Sequence, residues 1–368
     1  MGYRHTARAA LLTALTAGAL VCAAPGVAAA DAPGQEFFGL QGFSLAGSAD
    51  LAMMRRGGAG TLRVVFNGAL GPSQDSPTWA PYDELMATAA RERISVLPVL
   101  LGIPGSGPRI NRPRTPAQRT AWGRSVAAVA RRYGRGGTFW TAHPELTPRP
   151  LTAYQVWNEP NLPAYWRPAT DAAGYVRLVA LTRARLRAVD PKATIVLAGL
   201  PESRLGTPML AYLRAIYAAP GARAQFDVVA LNPYANDAGN VLAALNLVRS
   251  YMDRVGDRGT PIWITEVGWA TGGSRSPFTT TRAGQAARIT RTFRTLLAAR
   301  ERLRLERLMY FCLQDRAYGP TERPGWGPRT GLFDRAGAPK PAWRAFVSFT
   351  GGLPGGRLRR VAGYRPPR

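Results

Sequence analysis

The stretch TAYQVWN, residues 152–158, decides how this chain is read. Its Tyr154, Val156 and Trp157 suit a pleated strand, and it runs straight into Asn158-Glu159-Pro160. A carboxylate at a strand end is either a working group or an acidic turn residue. The company it keeps decides between the two.

Working outward, seven further runs share this character: EFFGLQGFS (36–44), TLRVVFN (61–67), ISVLPVLLG (94–102), TIVLAGL (194–200), FDVVALN (226–232), PIWITEV (261–267) and RLMYFCL (307–313). Helical patterns fill the gaps. TPAQRTAWGRSVAAVARRYG has Thr115 as N-cap and Pro116 at the first helical position, with Trp122, Val126, Val129 and Tyr133 on one face. AGYVRLVALTRARLRAVDP sets arginine outward and stops before Pro191. TRAGQAARITRTFRTLLAAR aligns Ala286, Ile289, Phe293 and Leu297. Further helices fit 48–56, 82–92, 207–217, 238–254 and 341–349. Eight strands alternating with helices predict an α/β fold, a (β/α)8 TIM barrel in a single domain. The alternative is an open doubly wound sheet, but no Gly-x-Gly-x-x-Gly follows the first strand.

The first 30 residues read as a secretory signal. Arg4 and Arg8 precede the apolar AALLTALTAGALVCAA, and VAAAD offers cleavage after Ala30. A retained anchor is the other reading, but the run is short and alanine-rich for a membrane span. The expected organisation is a signal at 1–30, a barrel at 31–350, and a loose basic Gly/Pro/Arg-rich tail at 351–368. The mature protein is expected to be secreted, extracellular or wall-associated, with no transmembrane segment.

Of 368 residues, 48 are basic and 22 acidic, giving a formal charge of +26. Only Lys192 and Lys340 are lysines. Such charge draws a protein to anionic surfaces such as cell-wall polymers or acidic glycans, or is simply a solvated basic exterior. No signature of specific nucleic-acid binding stands out. After signal removal, His143 and Cys312 are the sole histidine and cysteine. This argues against a His/Cys metal site and a Ser-His-Asp triad. Cys312, in an apolar run, reads as a buried thiol.

In a barrel, function gathers at the C-terminal ends of the strands. Glu159 ends the fourth strand and Glu266 the seventh, 107 positions on, the length of three βα repeats. Asp315, just past the eighth strand, is the one serious competitor. Two carboxyls facing one mouth suit glycosidic bond cleavage, one protonated to assist departure and one ionised to attack. Glu159, between Trp157 and Pro160, suits the protonated role. Glu266 suits the ionised one if Arg63, a charge inside an apolar strand, pairs with it; the other reading is an Arg63 turned outward or satisfied by a loop.

WNEPN at the fourth strand end and TEVGW at the seventh resemble the retaining (β/α)8 glycoside hydrolases of clan A, of the family 39-like or family 5-like kind. The resemblance implies that Glu159 is the acid/base and Glu266 the nucleophile, with no metal or organic cofactor required. It also implies that Asn158 holds the sugar 2-hydroxyl, Arg63 orients the nucleophile, and Tyr234 of LNPYA hydrogen-bonds it. GLFDRAGAPKPAW (331–343) is similar to the usual end of such barrels. Two positions depart from the pattern. Asn232 stands where many relatives have His, and Tyr310 where the clan often has a Trp under the sugar.

Sugar sites also need aromatic platforms. Trp79, Trp157, Trp166, Trp269 and Trp326 fall in or beside the expected mouth loops, and Trp269, close behind Glu266, is the favoured platform. The expected function is therefore a secreted retaining glycosidase acting on an oligo- or polysaccharide. The alternative is a non-catalytic glycan- or wall-binding barrel.

Overall fold

The computed structural model describes Met1 and residues 33–42, 47–67, 79–102, 111–318 and 325–361. The expected signal segment and the end of the tail lie outside the described residues. The chain divides into two units, Met1–Pro33 and Gly34–Arg368. The second holds eight strands, all parallel: β1 (Phe38–Gln41), β2 (Thr61–Asn67), β3 (Ser95–Leu101), β4 (Ala153–Val156), β5 (Thr194–Val196), β6 (Val229–Leu231), β7 (Ile262–Val267) and β8 (Leu305–Phe311). The helices are α1 (Ser48–Arg56), α2 (Ala80–Arg91), α3 (Pro116–Tyr133), α4 (Thr138–Ala142), α5 (Ala172–Arg187), α6 (Met209–Ala218), α7 (Ala238–Arg254), α8 (Arg282–Ala298), α9 (Arg300–Leu303) and α10 (Pro341–Thr350). Among the described residues, the short α4 and α9 are the helices without a counterpart in the sequence reading.

The sheet order is β5-β4-β3-β2-β1-β8-β7-β6. Its two ends meet through the parallel bridges Val196–Val228 and Leu200–Leu231, which close the barrel. The open-sheet alternative is thereby excluded. Helix starts follow local chemistry. Thr115 caps α3 with a reciprocal bond from Gln118, Asp171 caps α5 through Gly174 N, and Thr281 caps α8 through Gly284 N.

The barrel interior is layered, as side chains of parallel strands demand. At the strand starts, Arg307 pairs with Glu36 at 2.6 Å and lies 4.6 Å over the Trp263 ring. Above them Leu97, Val196, Val228, Ala230 and Met309 form an apolar plug. Gly39 leaves room for it, because a Cβ there would stand 2.9 Å from Met309 Cγ. Polar side chains fill the layer above the plug.

Asp315 is a structural group. Its carboxylate bonds Lys340 Nζ at 2.8 Å and accepts Gly331 N at 2.8 Å, and both charged side chains are buried. This ties the end of β8 to the start of α10 and removes Asp315 from the catalytic candidates. The tail departs from expectation up to residue 361. Leu353 N donates to Arg56 O, Leu358 N to Gly337 O and Val361 N to Arg335 O, and Leu358 is buried. Gly337, at φ 79°, is needed here, since a Cβ would sit 1.9 Å from Leu358 O.

Replacing Asp315 by Ala strands a buried ammonium. Urea unfolding should show a loss of about 3–5 kcal/mol. An unchanged midpoint would mean the ion pair does not anchor α10.

Candidate active site

Two backbone irregularities aim the acids. The first ends β4. Strict alternation after Gln155, which faces inward, would turn Trp157 in and Asn158 out. Instead Trp157 and Glu159 take left-handed φ values of 73° and 45°. The Trp157 ring swings outward between Trp122 and Trp166, fully buried, and its indole N–H donates to Tyr165 O at 3.0 Å. A left-handed residue costs about 1–2 kcal/mol. Burying a large side chain contributes about 1.5–3 kcal/mol, which offsets it. Asn158 and Glu159 are left facing the mouth.

The second irregularity is in β7. Ile264 pairs with Leu308 and Val267 with Tyr310, so Thr265 and Glu266 together oppose Met309. This is a β-bulge. Without it Glu266 would share the helix-facing side of Ile262 and Ile264. With it, both Thr265 and Glu266 face the barrel axis.

Arg63 organises the layer. It is 1% exposed, and its guanidinium is satisfied on every side. Nε donates to Gln155 Oε1 at 2.6 Å, Nη1 to Gln41 Oε1 and Glu266 Oε1, each at 2.5 Å, and Nη2 to Asn158 Oδ1 at 2.7 Å. The outward reading of Arg63 is excluded. The other oxygen of Glu266 accepts from Tyr234 Oη at 2.8 Å. Burial and the charge of Glu266 push the Tyr234 hydroxyl well above its ordinary value, so it stays a donor.

Glu159 has the opposite surroundings. Its Oε1 accepts one hydrogen bond, from Asn232 Nδ2 at 2.9 Å. Asn232 Oδ1 in turn accepts from Thr265 Oγ1 at 2.7 Å, which fixes the amide with its NH2 toward Glu159. Burial, then the negative charge of Glu266, raise the Glu159 carboxyl to about 8, against the smaller opposing effects of Asn232 and Arg63. Asn232 therefore supplies a donor without a second titrating group. Gly199 makes space for this relay, since a Cβ there would lie 2.1 Å from Asn232 Oδ1 and 2.4 Å from Thr265 Oγ1.

The structure gathers Glu159, Glu266, Asn158, Arg63, Tyr234 and Asn232 in one layer. It corrects two other candidates. Trp269 is fully buried, its indole N–H spent on Ala235 O at 2.7 Å, and offers no face to a sugar. Tyr310 is fully buried on the helix side, where its hydroxyl bonds Thr330 O and Gln285. The parity of β8 explains this: Met309 belongs to the plug, so Tyr310 turns outward and Phe311 inward. Phe311 takes the position that Tyr310 was expected to hold.

Several site residues escaped the sequence reading. Gln41 and Gln155 carried the signal that flagged Arg63, a polar residue within an apolar strand. Burial, then the charges of Glu159 and Glu266, raise the Tyr165 hydroxyl, which places it beside the acid pair. The half-buried Trp326 packs 4.8 Å from Tyr234 and 4.9 Å from Phe278, with Phe311 6.2 Å from Tyr234 on another side. Trp326 rather than Trp269 is the aromatic beside the Glu266 partner. Cys312 is buried and its thiol pushed up to about 12 by burial, as befits a structural thiol. His143 lies at the surface, 2.9 Å from Glu145. Among the described residues no group of three or more His, Cys, Asp or Glu is arranged to hold a metal, and no helix is long and apolar enough to cross a membrane.

The raised Glu159 carboxyl has a cost. Between about 4.5 and about 8 the unfolded chain carries this group ionised while the native state keeps it protonated. The native state then binds more protons, so this group's contribution to stability declines as pH rises through the window. Glu159→Gln should raise the melting temperature relative to wild type more at pH 8 than at pH 5. A gap independent of pH would contradict the raised value.

Comparison with known proteins places this geometry. No curated protein matches the chain. Solved structures do, at identities that speak for the fold. A family 39 glycoside hydrolase from Bacteroides cellulosilyticus WH2 superposes with a TM-score of 0.61 at 18% identity, over 85% of this chain and 63% of its own. This chain thus spans somewhat under two thirds of that relative's length. A family 39 β-xylosidase from Caulobacter crescentus gives 0.60 at 19%, over 88% and 73%. A glucosidase from Croceicoccus marinus gives 0.64 at 13%, over 87% and 68%. The glycosyl hydrolase catalytic core family matches residues 125–343, more than half of the sequence and the part bearing both Glu159 and Glu266, and the chain belongs to that family.

Proposed function

We propose that this protein is a retaining glycoside hydrolase acting on an oligo- or polysaccharide, with Glu159 as acid/base and Glu266 as nucleophile. One observation carries the reading: two buried carboxyls share a layer but have opposite partners. Glu266 accepts from Arg63 and Tyr234, which present it as an anion aimed by two donors. Among the described residues the side-chain partner of Glu159 is a neutral amide, and its pKa is raised, the state of a group that must hold a proton.

In the first step Glu159 protonates the departing glycosidic oxygen while Glu266 attacks the anomeric carbon. The C–O bond to the leaving group breaks and a glycosyl–Glu266 ester forms. Charge on Glu266 then falls, which removes one cause of the raised Glu159 value. Glu159, now ionised, takes a proton from water, and that water's oxygen displaces Glu266 from the same face of the sugar. Arg63 keeps Asn158 and Glu266 in a common frame, so Asn158 can meet the sugar hydroxyl adjacent to the reacting carbon. Trp326 supplies the aromatic face for the ring. We also read the chain as exported after cleavage following Ala30. Arg4 and Arg8, the apolar run behind them and the small residues of VAAAD support that reading, and the N-terminal residue of the secreted form tests it.

Product analysis by NMR on aryl glycosides should show net retention at the anomeric carbon. Glu266→Gln should lower kcat/KM by more than about 10⁴-fold. Glu159→Gln should cost about 10²–10⁴-fold with poor leaving groups and much less with nitrophenolate, which needs no proton. The wild-type pH profile should fall on the alkaline side near pH 8, and that limb should be lost in Glu159→Gln. Inversion of configuration, or equal losses for all leaving groups, would overturn the assignment.

A further inference from the structure

A second feature lies on the same end of the barrel. Residues 112–119, at the start of α3, and residues 166–181, leading into and along α5, wall a groove of about 700 Å³. Arg112, Arg114, Arg119 and Arg177 line it, and among the described residues no carboxylate does. Pro113 and Pro168 add apolar surface.

The charges there do not balance. Asp171 is the carboxylate that reaches these guanidiniums, at 3.2 Å from Arg112 and 3.8 Å from Arg177, and it also caps α5. Among the described residues, the other hydrogen-bond partners are backbone. Arg112 Nε and Arg114 Nη2 donate to Arg167 O at 3.1 and 2.7 Å, and Arg119 Nη1 to Arg114 O at 2.5 Å. Carbonyl oxygens orient guanidinium groups but cancel no charge. Arg114, Arg119 and Arg177 are exposed, so their remaining N–H donors face solvent in a concave site. Oriented arginine forks of this kind suit planar carboxylates.

The inner wall joins the groove to the acid pair. Trp166 lies under Arg112 at 5.2 Å and edge-on to Trp157 at 5.4 Å, two residues before Glu159. Its buried indole N–H has no hydrogen-bond partner. One loop thus bears Glu159 at its start and Trp166 and Pro168 near its end. Single-stranded nucleic acid is disfavoured as an occupant. It needs open rings for base stacking, and the aromatic ring in this wall is 1% exposed.

We propose that this groove binds carboxylate-bearing residues of an acidic polysaccharide, a uronic-acid chain, and so holds the polymer beside the mouth. The choice of a glycan rests on the glycoside hydrolase reading; the binding is independent of turnover. The test is titration of wild type, Glu266→Gln, a groove triple variant (R114Q/R119Q/R177Q) and a control triple variant (R254Q/R258Q/R294Q). The probes are polygalacturonate, its methyl ester, and a single-stranded oligodeoxynucleotide, at low and at high salt.

At low salt the groove variant should bind polygalacturonate at least about tenfold more weakly than wild type, the control within about twofold, and the methyl ester not measurably. Salt should weaken wild type more than the groove variant. Glu266→Gln should bind as wild type does, so that loss of hydrolysis and loss of binding are read separately. Arg112 is left in place because it holds the α5 cap, and melting curves check folding. Should the glutamine triple unfold, R114K/R119K/R177K keeps the charge, loses the fork and should still weaken binding. Equal weakening in both triple variants, equal affinity for the methyl ester, preference for the oligonucleotide, or no binding by wild type would each overturn the proposal.

Discussion

Everything at the mouth of this barrel depends on a buried arginine. Arg63 sits above an apolar plug with almost no access to water, where an unpaired guanidinium would be prohibitive. Its charge obliges the neighbours to supply acceptors. Gln41 comes from β1, Gln155 from β4, Asn158 from the turn after β4, and Glu266 from β7. A single planar cation thereby sets the relative position of groups from four parts of the chain. It also divides the two acids by role, since it bonds Glu266 directly and touches Glu159 only through its field.

That division would fail in a regular sheet. Alternation along β7 would bury Glu266 against the helices, and alternation after β4 would do the same to Asn158. The bulge at Thr265-Glu266 and the left-handed Trp157 and Glu159 break the period where the chemistry needs it. The surrounding structure stabilises both departures. Trp157 fills a pocket between Trp122 and Trp166, and Thr265, beside the inturned Glu266, orients Asn232 toward Glu159. The Asn232 departure from the usual histidine is thus accommodated by a three-residue relay, with Gly199 leaving it room.

Strand period, helix caps and the spacing of WNEPN and TEVGW made the barrel and the acid pair legible in one dimension. So did Arg63, because an arginine inside TLRVVF has no reason to exist without an anion. The aromatic beside the acid pair was misread. Its place close behind Glu266 favours Trp269 in sequence, whereas packing buries Trp269 and leaves Trp326 half-open beside Tyr234. Tyr310 was misplaced for a similar reason, since a one-residue change in strand parity exchanges it with Phe311. The arginine groove is likewise a product of folding, since its residues come from segments some 50 positions apart.

By itself, the sequence determined the alternation of eight strands and helices, the two strand-end glutamates and the buried cation that pairs with one of them. These are properties of period and of charge, which survive in a string of letters. The tertiary structure alone decided which way each strand-end side chain points, which tryptophan remains open, and that one carboxyl is raised by burial beside a neutral amide while the other is held by an arginine and a tyrosine. Those outcomes depend on register, bulges and local dielectric, which come into being only when distant segments are packed against one another.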